Sequence, residues 1–199
     1  MKIEMFKTLG ISAVLTLSSL VAPTLAQADS FGIDTKGMHA SILFKVKHLG
    51  YSWLEGRFNK FEGNFDYDPA QPTKSKVKVH IDVSSLDTNH AERDKHLRSA
   101  RFFDTNTFAD ASFESTSISA AENGRAQVKG NFTLRGITKP IVIDAEFVGA
   151  GKDPWGGYRT GFTGTTTLHL SDYKMKEANV LGAVAENVEV TLNIEGVRK

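Results

Sequence analysis

The chain has no cysteine in any of its 199 residues. That excludes disulfides, thiolate metal sites, a thiol nucleophile and a lipid anchor on an N-terminal cysteine. After residue 28 it also lacks any apolar run near the roughly 20 residues that a membrane-spanning helix needs. An excess of charge is missing as well. Residues 1–28 hold two lysines and one glutamate, and taking these from 24 basic and 23 acidic residues leaves 22 of each. Such a balance gives no general attraction for nucleic acid or anionic membranes, so neither a nucleic-acid partner nor stable membrane insertion is expected. A Gly-x-Ser-x-Gly elbow, a phosphate loop and a dinucleotide fingerprint are all absent. No catalytic residue, resident metal or cofactor is expected.

What is present begins with an export signal. Lys2 and Lys7 precede an apolar run from Leu9 to Val21, and Ala26-Gln27-Ala28 supplies the small-x-small pattern of a signal peptidase site. A cleavable signal peptide over residues 1–28 is expected, followed by one domain over 29–199. An exported domain without disulfides relies on its core, and the combination suits a bacterial periplasm.

The remainder alternates between apolar and polar residues. Val77, Val79, Ile81 and Val83 are interleaved with Lys78, His80 and Asp82, and Val128, Phe132 and Leu134 with Lys129, Asn131, Thr133 and Arg135. Side chains of a strand point to opposite faces with period two, so each stretch reads as a strand with one buried face. Ala40 to Val46, Phe58, Phe61 to Tyr67, Phe113, Ile141 to Phe147, Tyr158 to Leu170 and Val188 to Ile194 extend the pattern to about eight strands. The parity change between Phe58 and Phe61 predicts a bulge or bend at Asn59 and Lys60. The fold class expected is all-β, a sandwich or closed antiparallel barrel.

One helix is predicted over His90 to Arg98, with Asn89 and Glu92 at capping-box spacing. Its apolar face is reduced to Leu97 and Ala91, which places it on the surface or across one end of a barrel. His90, Glu92, Asp94 and His96 match no common zinc spacing and read as a solvated charged helix. Asp153-Pro154-Trp155-Gly156-Gly157 reads as a hairpin turn with Trp155 folded onto the rim.

Phe44, Phe58, Phe65, Phe132, Phe147 and Phe162 share the inward parity of separate strands. So do Val46, Val79, Ile81, Leu134, Ile143, Leu168, Val190 and Leu192. These fourteen residues are the candidate ligand-binding set. Periodicity alone leaves open whether they fill an ordinary core or line a container, since an eight-stranded barrel is wide enough for either.

Four segments together resemble a known family. HLGYSWLEGRFNKFEG from His48, DTNHAERDKHLRSARFFD from Asp87, VKGNFTLRGITKP from Val128 and DPWGGYRTGF from Asp153 follow the order found in YceI-like proteins. The resemblance spans nearly all of residues 29–199. It implies a lipocalin-like, eight-stranded antiparallel β-barrel with one short surface helix, whose interior binds a polyisoprenoid or similar long-chain amphiphile, and it implies no catalytic activity. The function expected is a periplasmic lipid carrier, with a possible homodimer. Arg93, Arg98 and His48 are candidates to meet a polar head group. The alternatives are a filled-core interaction module linked to stress, and an enzyme acting on an isoprenoid or quinone precursor, for which Thr160 and Thr166 are the candidate polar groups inside the barrel.

Overall fold

Alternation makes each segment a strand with one face that must leave water, and closing the sheet on itself buries all those faces together. In the computed structural model, which describes residues 28–175 and 185–199, eleven strands form one antiparallel sheet. They are β1 (Asp29–Ile33), β2 (Ser41–His48), β3 (Ser52–Phe58), β4 (Phe61–Tyr67), β5 (Lys76–Asp82) and β6 (Leu86–Asp87). The helix α1 (Ala91–Arg98) follows, then β7 (Asp110–Ile118), β8 (Arg125–Leu134), β9 (Ile137–Lys152), β10 (Tyr158–His169) and β11 (Asn187–Arg198).

The ring runs β1-β4-β5-β7-β8-β9-β10-β11 and returns to β1, an eight-stranded closed barrel. Two of its staves are broken. β1 pairs with Gly196–Arg198 of β11, whereas β2 continues alongside Val188–Asn193 of the same strand. β4 lies beside β1 and β5, and β3 beside β2 and β6. The break between β3 and β4 falls at Asn59 and Lys60, where the parity change places it. There the Asn59 amide donates to the Ser85 carbonyl and the Lys60 amide to Ser85 Oγ.

The turns follow their sequences. Leu49-Gly50 and Arg135-Gly136 each place two successive residues at positive φ, the requirement of the tightest hairpins. Arg135 is held in that conformation by bonds from Nη1 to the Lys174 and Tyr173 carbonyls, at 3.0 and 3.4 Å.

The helix starts one residue later than its sequence suggests. Asn89 is at φ 59°, outside the helix, and the cap is His90, whose Nδ1 accepts the Arg93 amide at 3.2 Å. With so little apolar surface, α1 is docked by polar groups. Asp94, buried, accepts from the Thr88 amide at 2.9 Å and the Thr88 hydroxyl at 2.5 Å. Arg93 donates to Thr88 Oγ1 and O, and Arg98 to the Leu86 carbonyl at 2.7 Å. Both arginines are thus committed to the backbone around β6 rather than free for a head group. Trp155 is also placed differently from the expectation. It stands 79 % exposed at the β9–β10 turn, with the Arg159 guanidinium 5.7 Å from its ring centre.

Inside the ring, large rings pack where a facing strand carries glycine. A Cβ built on Gly196 would lie 2.5 Å from Phe65 Cζ and 2.9 Å from Phe31 Cβ, whereas one on Gly149 meets nothing within 4 Å. Gly196→Val is therefore expected to lower stability by about 1–3 kcal/mol. Gly149→Ala should be neutral or stabilise by up to about 1 kcal/mol. Urea titrations of the two variants check this, and equal midpoints would contradict the packing.

Candidate functional site

The interior holds two packed zones with space between them. One joins Phe31, Ile33, Ala40 and Phe65, and the other joins Ile42, Ile81, Phe113, Phe132, Leu134, Tyr173 and Met175. A cavity of about 280 Å³ touches both zones, close to the lower bound for small-molecule sites, about 300 Å³. Its walls come from the inward parity of most staves. Val77, Val79 and Ile81 belong to β5, Val128 and Phe132 to β8, Ile141, Ile143 and Ala145 to β9, and Val190, Leu192 and Ile194 to β11.

The two ends differ. Toward the β8–β9 hairpin the barrel is stoppered by the 3-10 turn Leu170–Tyr173. Tyr173 is buried there, with its ring 5.9 Å from that of Phe132. Burial first, and the Asp172 carboxylate second, push its phenol up to about 12. Phe103, from the chain after α1, packs edge-on to Phe58 at 6.2 Å beside it. The opposite end is open. There Tyr67, Pro72, Ser75, Ala121, Gly124 and Phe147 reach the cavity from the β4–β5 and β7–β8 connections and from β9. Phe147 is 39 % exposed. It stacks with Tyr67 at 6.3 Å and meets Phe162 at 5.7 Å, and Tyr67 meets Phe162 edge-on at 5.0 Å. The interior is therefore a dead-end apolar tunnel with an aromatic mouth, rather than a filled core.

The profile of the YceI-like domain matches residues 31–196. This chain belongs to the YceI-like family. A UPF0312 protein of Shewanella sp. (strain ANA-3) is 54 % identical over 187 residues, covering 94 % of this chain and 97 % of the relative. Among solved structures, the Campylobacter jejuni YCEI protein superimposes with TM-score 0.68 at 28 % identity, over 78 % of this chain and 91 % of that one. A polyisoprenoid binding domain from Saccharophagus degradans, implicated in plant cell wall breakdown, shares the fold at TM-score 0.62 and 14 % identity, over 86 % and 99 % of the two chains.

Within this YceI-like barrel the fourteen candidate residues separate into two groups. Phe58, Phe65, Val79, Ile81, Phe132, Ile143, Phe147, Phe162, Leu168, Val190 and Leu192 line the cavity. Phe44, Val46 and Leu134 do not. Phe44 and Val46 lie on β2 beyond Ile42, toward the β2–β3 hairpin. Phe44 fills the space over Gly56, whose Cβ would sit 2.4 Å from its ring. Leu134 is buried in the stoppered zone. Further lining residues share a parity with those named: Ile42, Val77, Phe113, Val128, Ile141 and Ile194. The mouth residues Pro72, Ser75, Ala121 and Gly124 come from connections, where alternation carries no signal. His48 ends β2 at the stoppered end, exposed and away from the mouth. Thr166 lines the cavity, with its hydroxyl donating to the Val142 carbonyl at 2.8 Å. Thr160 is buried outside the lining.

Among the described residues, one group of side chains has metal-ligand spacing: Asp34, His39 and Glu195. A cation already occupies it. Arg159 Nη1 lies 2.6 Å from both Asp34 Oδ2 and Glu195 Oε1, and Arg159 Nε lies 2.8 Å from Asp153 Oδ2. The cluster ties the loop after β1, the β9–β10 turn, β10 and β11 together at the seam where β1 closes the ring. The His39 hydrogen bond, then that of Arg159, holds the Asp34 carboxyl down from 3.8 to about 2. Because the folded value is the lower one, Asp34 stabilises the fold above about pH 4 and that contribution is lost as pH falls toward 2. Arg159→Met should flatten this acid dependence relative to the parent chain. Urea midpoints from pH 6 to pH 2 test it, and parallel curves for the two proteins would contradict the clamp.

Proposed function

We propose that this protein is a periplasmic carrier that holds a polyisoprenoid or similar long-chain amphiphile in its barrel. The observation that carries the reading is the dead-end apolar tunnel. Packed side chains stopper one end, and the contacting rings of Tyr67, Phe147 and Phe162 stand beside the other. A tail enters first and the polar end stays at the mouth. The name of the Saccharophagus degradans domain supports this ligand class, and the signal-like N-terminal sequence supports the compartment.

Burial supplies the affinity. Each methylene removed from water contributes about 0.8 kcal/mol, so ten contribute about 8 kcal/mol before ordering costs. That gross figure corresponds to a Kd of about 1 μM, which ordering of the chain weakens. No strong polar contact is required.

Native mass spectrometry of protein purified from periplasm without detergent, followed by organic extraction, tests the reading. A stoichiometric prenyl or long-chain species is expected. A chain that stays empty after incubation with prenyl lipids would refute it. Position within the wall gives a second test. Phe132→Arg, on the cavity side of β8, should abolish lipid retention or folding, whereas Thr133→Arg, on the other parity, should do neither. Equal damage in thermal melts and lipid titrations would contradict the placement of the site.

A further inference from the structure

Successive residues of a strand point to opposite faces, so Val148 would ordinarily follow Phe147 as a paired residue of the outer wall. A bulge prevents that. Phe162 lies opposite Phe147 and Gly161 opposite Gly149, which leaves Val148 without a partner across the ladder. Val148 is 71 % exposed, directly beside the half-exposed Phe147 of the mouth. β9 then runs past the mouth to the turn that carries Trp155. That indole is held outward rather than packed, because the Arg159 guanidinium over its ring is itself fixed by Asp34, Asp153 and Glu195. The other two connections at this end add Ala70 and Ala121, both exposed, and Ala121 also belongs to the tunnel wall. Apolar surface therefore passes without a break from the inside of the tunnel to the outside of its rim. Exposed apolar patches rimmed by polar residues mark protein or membrane contacts.

The charges at this end favour a membrane. Arg198 is paired with Asp29, Arg125 with Glu146 and Arg159 with Asp153. Asp68 is buried and accepts the Ala70 amide, and the Asp66 carboxylate accepts the Ser30 hydroxyl. Lys199 ends the sequence, where the terminal carboxylate offsets it. What remains exposed and free of ion pairs among the described residues is Lys74, Lys76 and Lys152, against Glu122. A tryptophan and aliphatic residues with lysines around them are the side chains that settle at a membrane interface. These groups come from three separate connections around an opening, an arrangement that suits a fluid surface better than a shaped protein partner. The β2–β3 hairpin also exposes Leu49 and Tyr51, but it stands at the stoppered end, where no cavity opens.

Resting on the lipid-carrier reading, we propose that the open end of the barrel docks reversibly on anionic lipid bilayers, with Val148 and Trp155 in the interface and Lys74, Lys76 and Lys152 over lipid phosphates. A chain then passes between bilayer and tunnel without crossing water. The balanced total charge is no obstacle, since docking uses one end of the molecule only.

The chain has two tryptophans, so each end carries its own reporter. Protein purified from periplasm is mixed with vesicles of phosphatidylcholine and phosphatidylglycerol containing brominated lipid, using Trp53→Phe to isolate Trp155 and Trp155→Phe to isolate Trp53. Quenching and a blue shift are expected for Trp155 and not for Trp53. Vesicle affinity should fall about tenfold in Val148→Ser, about fivefold in Lys152→Gln, and not at all in Tyr51→Ala. Added salt should weaken it as well. Val148, Lys152 and Tyr51 are exposed, so thermal midpoints should stay in place. Quenching of Trp53 in place of Trp155, or loss of binding in Tyr51→Ala alone, would overturn the docking surface. So would the absence of vesicle binding by a protein that still takes up geranylgeraniol from solution, and the carrier reading would then stand. Docking through Trp155 by a protein that takes up no prenyl lipid from vesicles or solution would instead support the surface and overturn the carrier.

Discussion

Everything in this molecule depends on closing the ring along β11. That strand serves two segments of the first stave at once, with β1 beside Gly196–Arg198 and β2 beside Val188–Asn193. Between them the chain leaves the barrel wall, from Asp34 to Ala40, and the ladder is bridged by the Asp34 amide donating to the Glu195 carbonyl at 2.8 Å. A gap in a closing seam is a weak point, because strand edges there present unpaired backbone groups. Arg159 spans it with three carboxylates from three elements, so the seam is held by charge where the backbone ladder is thinnest. The pairing of cavity-lining positions across the barrel follows from this closure. Were β1 to slip by one residue on β11, Phe31 and Ile33 would turn outward.

Closure explains why there is an inside; side-chain size explains why it is partly empty. Phenyl rings enter the barrel chiefly where a facing position is glycine. Phe65 lies against Gly196, and Phe113 against Gly130, whose Cβ would be 2.4 Å from the ring tip. Those pairs build the packed zones. Between them the walls are Val, Ile, Leu and Ala, and Gly164 adds no side chain at all. The tunnel is what remains when rings are concentrated near the ends and aliphatic residues line the middle. Packed interiors of ordinary domains leave few voids larger than a water molecule, so a continuous apolar space of this size is a designed feature of the sequence.

Alternation is a statement about parity, and it was informative wherever parity decides the outcome. It identifies the staves and the cavity side of β5, β8, β9 and β11. It cannot distinguish a residue facing the tunnel from one facing a stopper on the same side of the same strand. Leu134 has the parity of Phe132 but lies two residues nearer the hairpin, in the zone that also holds Tyr173. Phe44 and Val46 have the parity of Ile42, which does line the cavity, but sit further along β2 toward the β2–β3 hairpin, where Phe44 packs over Gly56. Depth along the barrel axis requires the register, which periodicity does not contain. The helix shows the complementary lesson. Its sparse apolar face was legible, but the buried Thr88–Asp94 pair that docks it joins residues of ordinary surface types.

Affinity and selectivity have separate sources in such a site. Two further buried methylenes contribute about 1.6 kcal/mol, more than the roughly 0.5–1.5 kcal/mol of one net hydrogen bond. Chain length therefore outranks the polar end for as long as the added carbons find wall. Under the proposed carrier reading, the stopper around Tyr173 and Phe132 would set where a tail must stop, and the rings of Tyr67, Phe147 and Phe162 where burial ends. Carbons beyond those rings return to water and add nothing. Affinity should thus rise with chain length until the tunnel is spanned and then level off. Past that length, ligands differ only in what they present at the mouth.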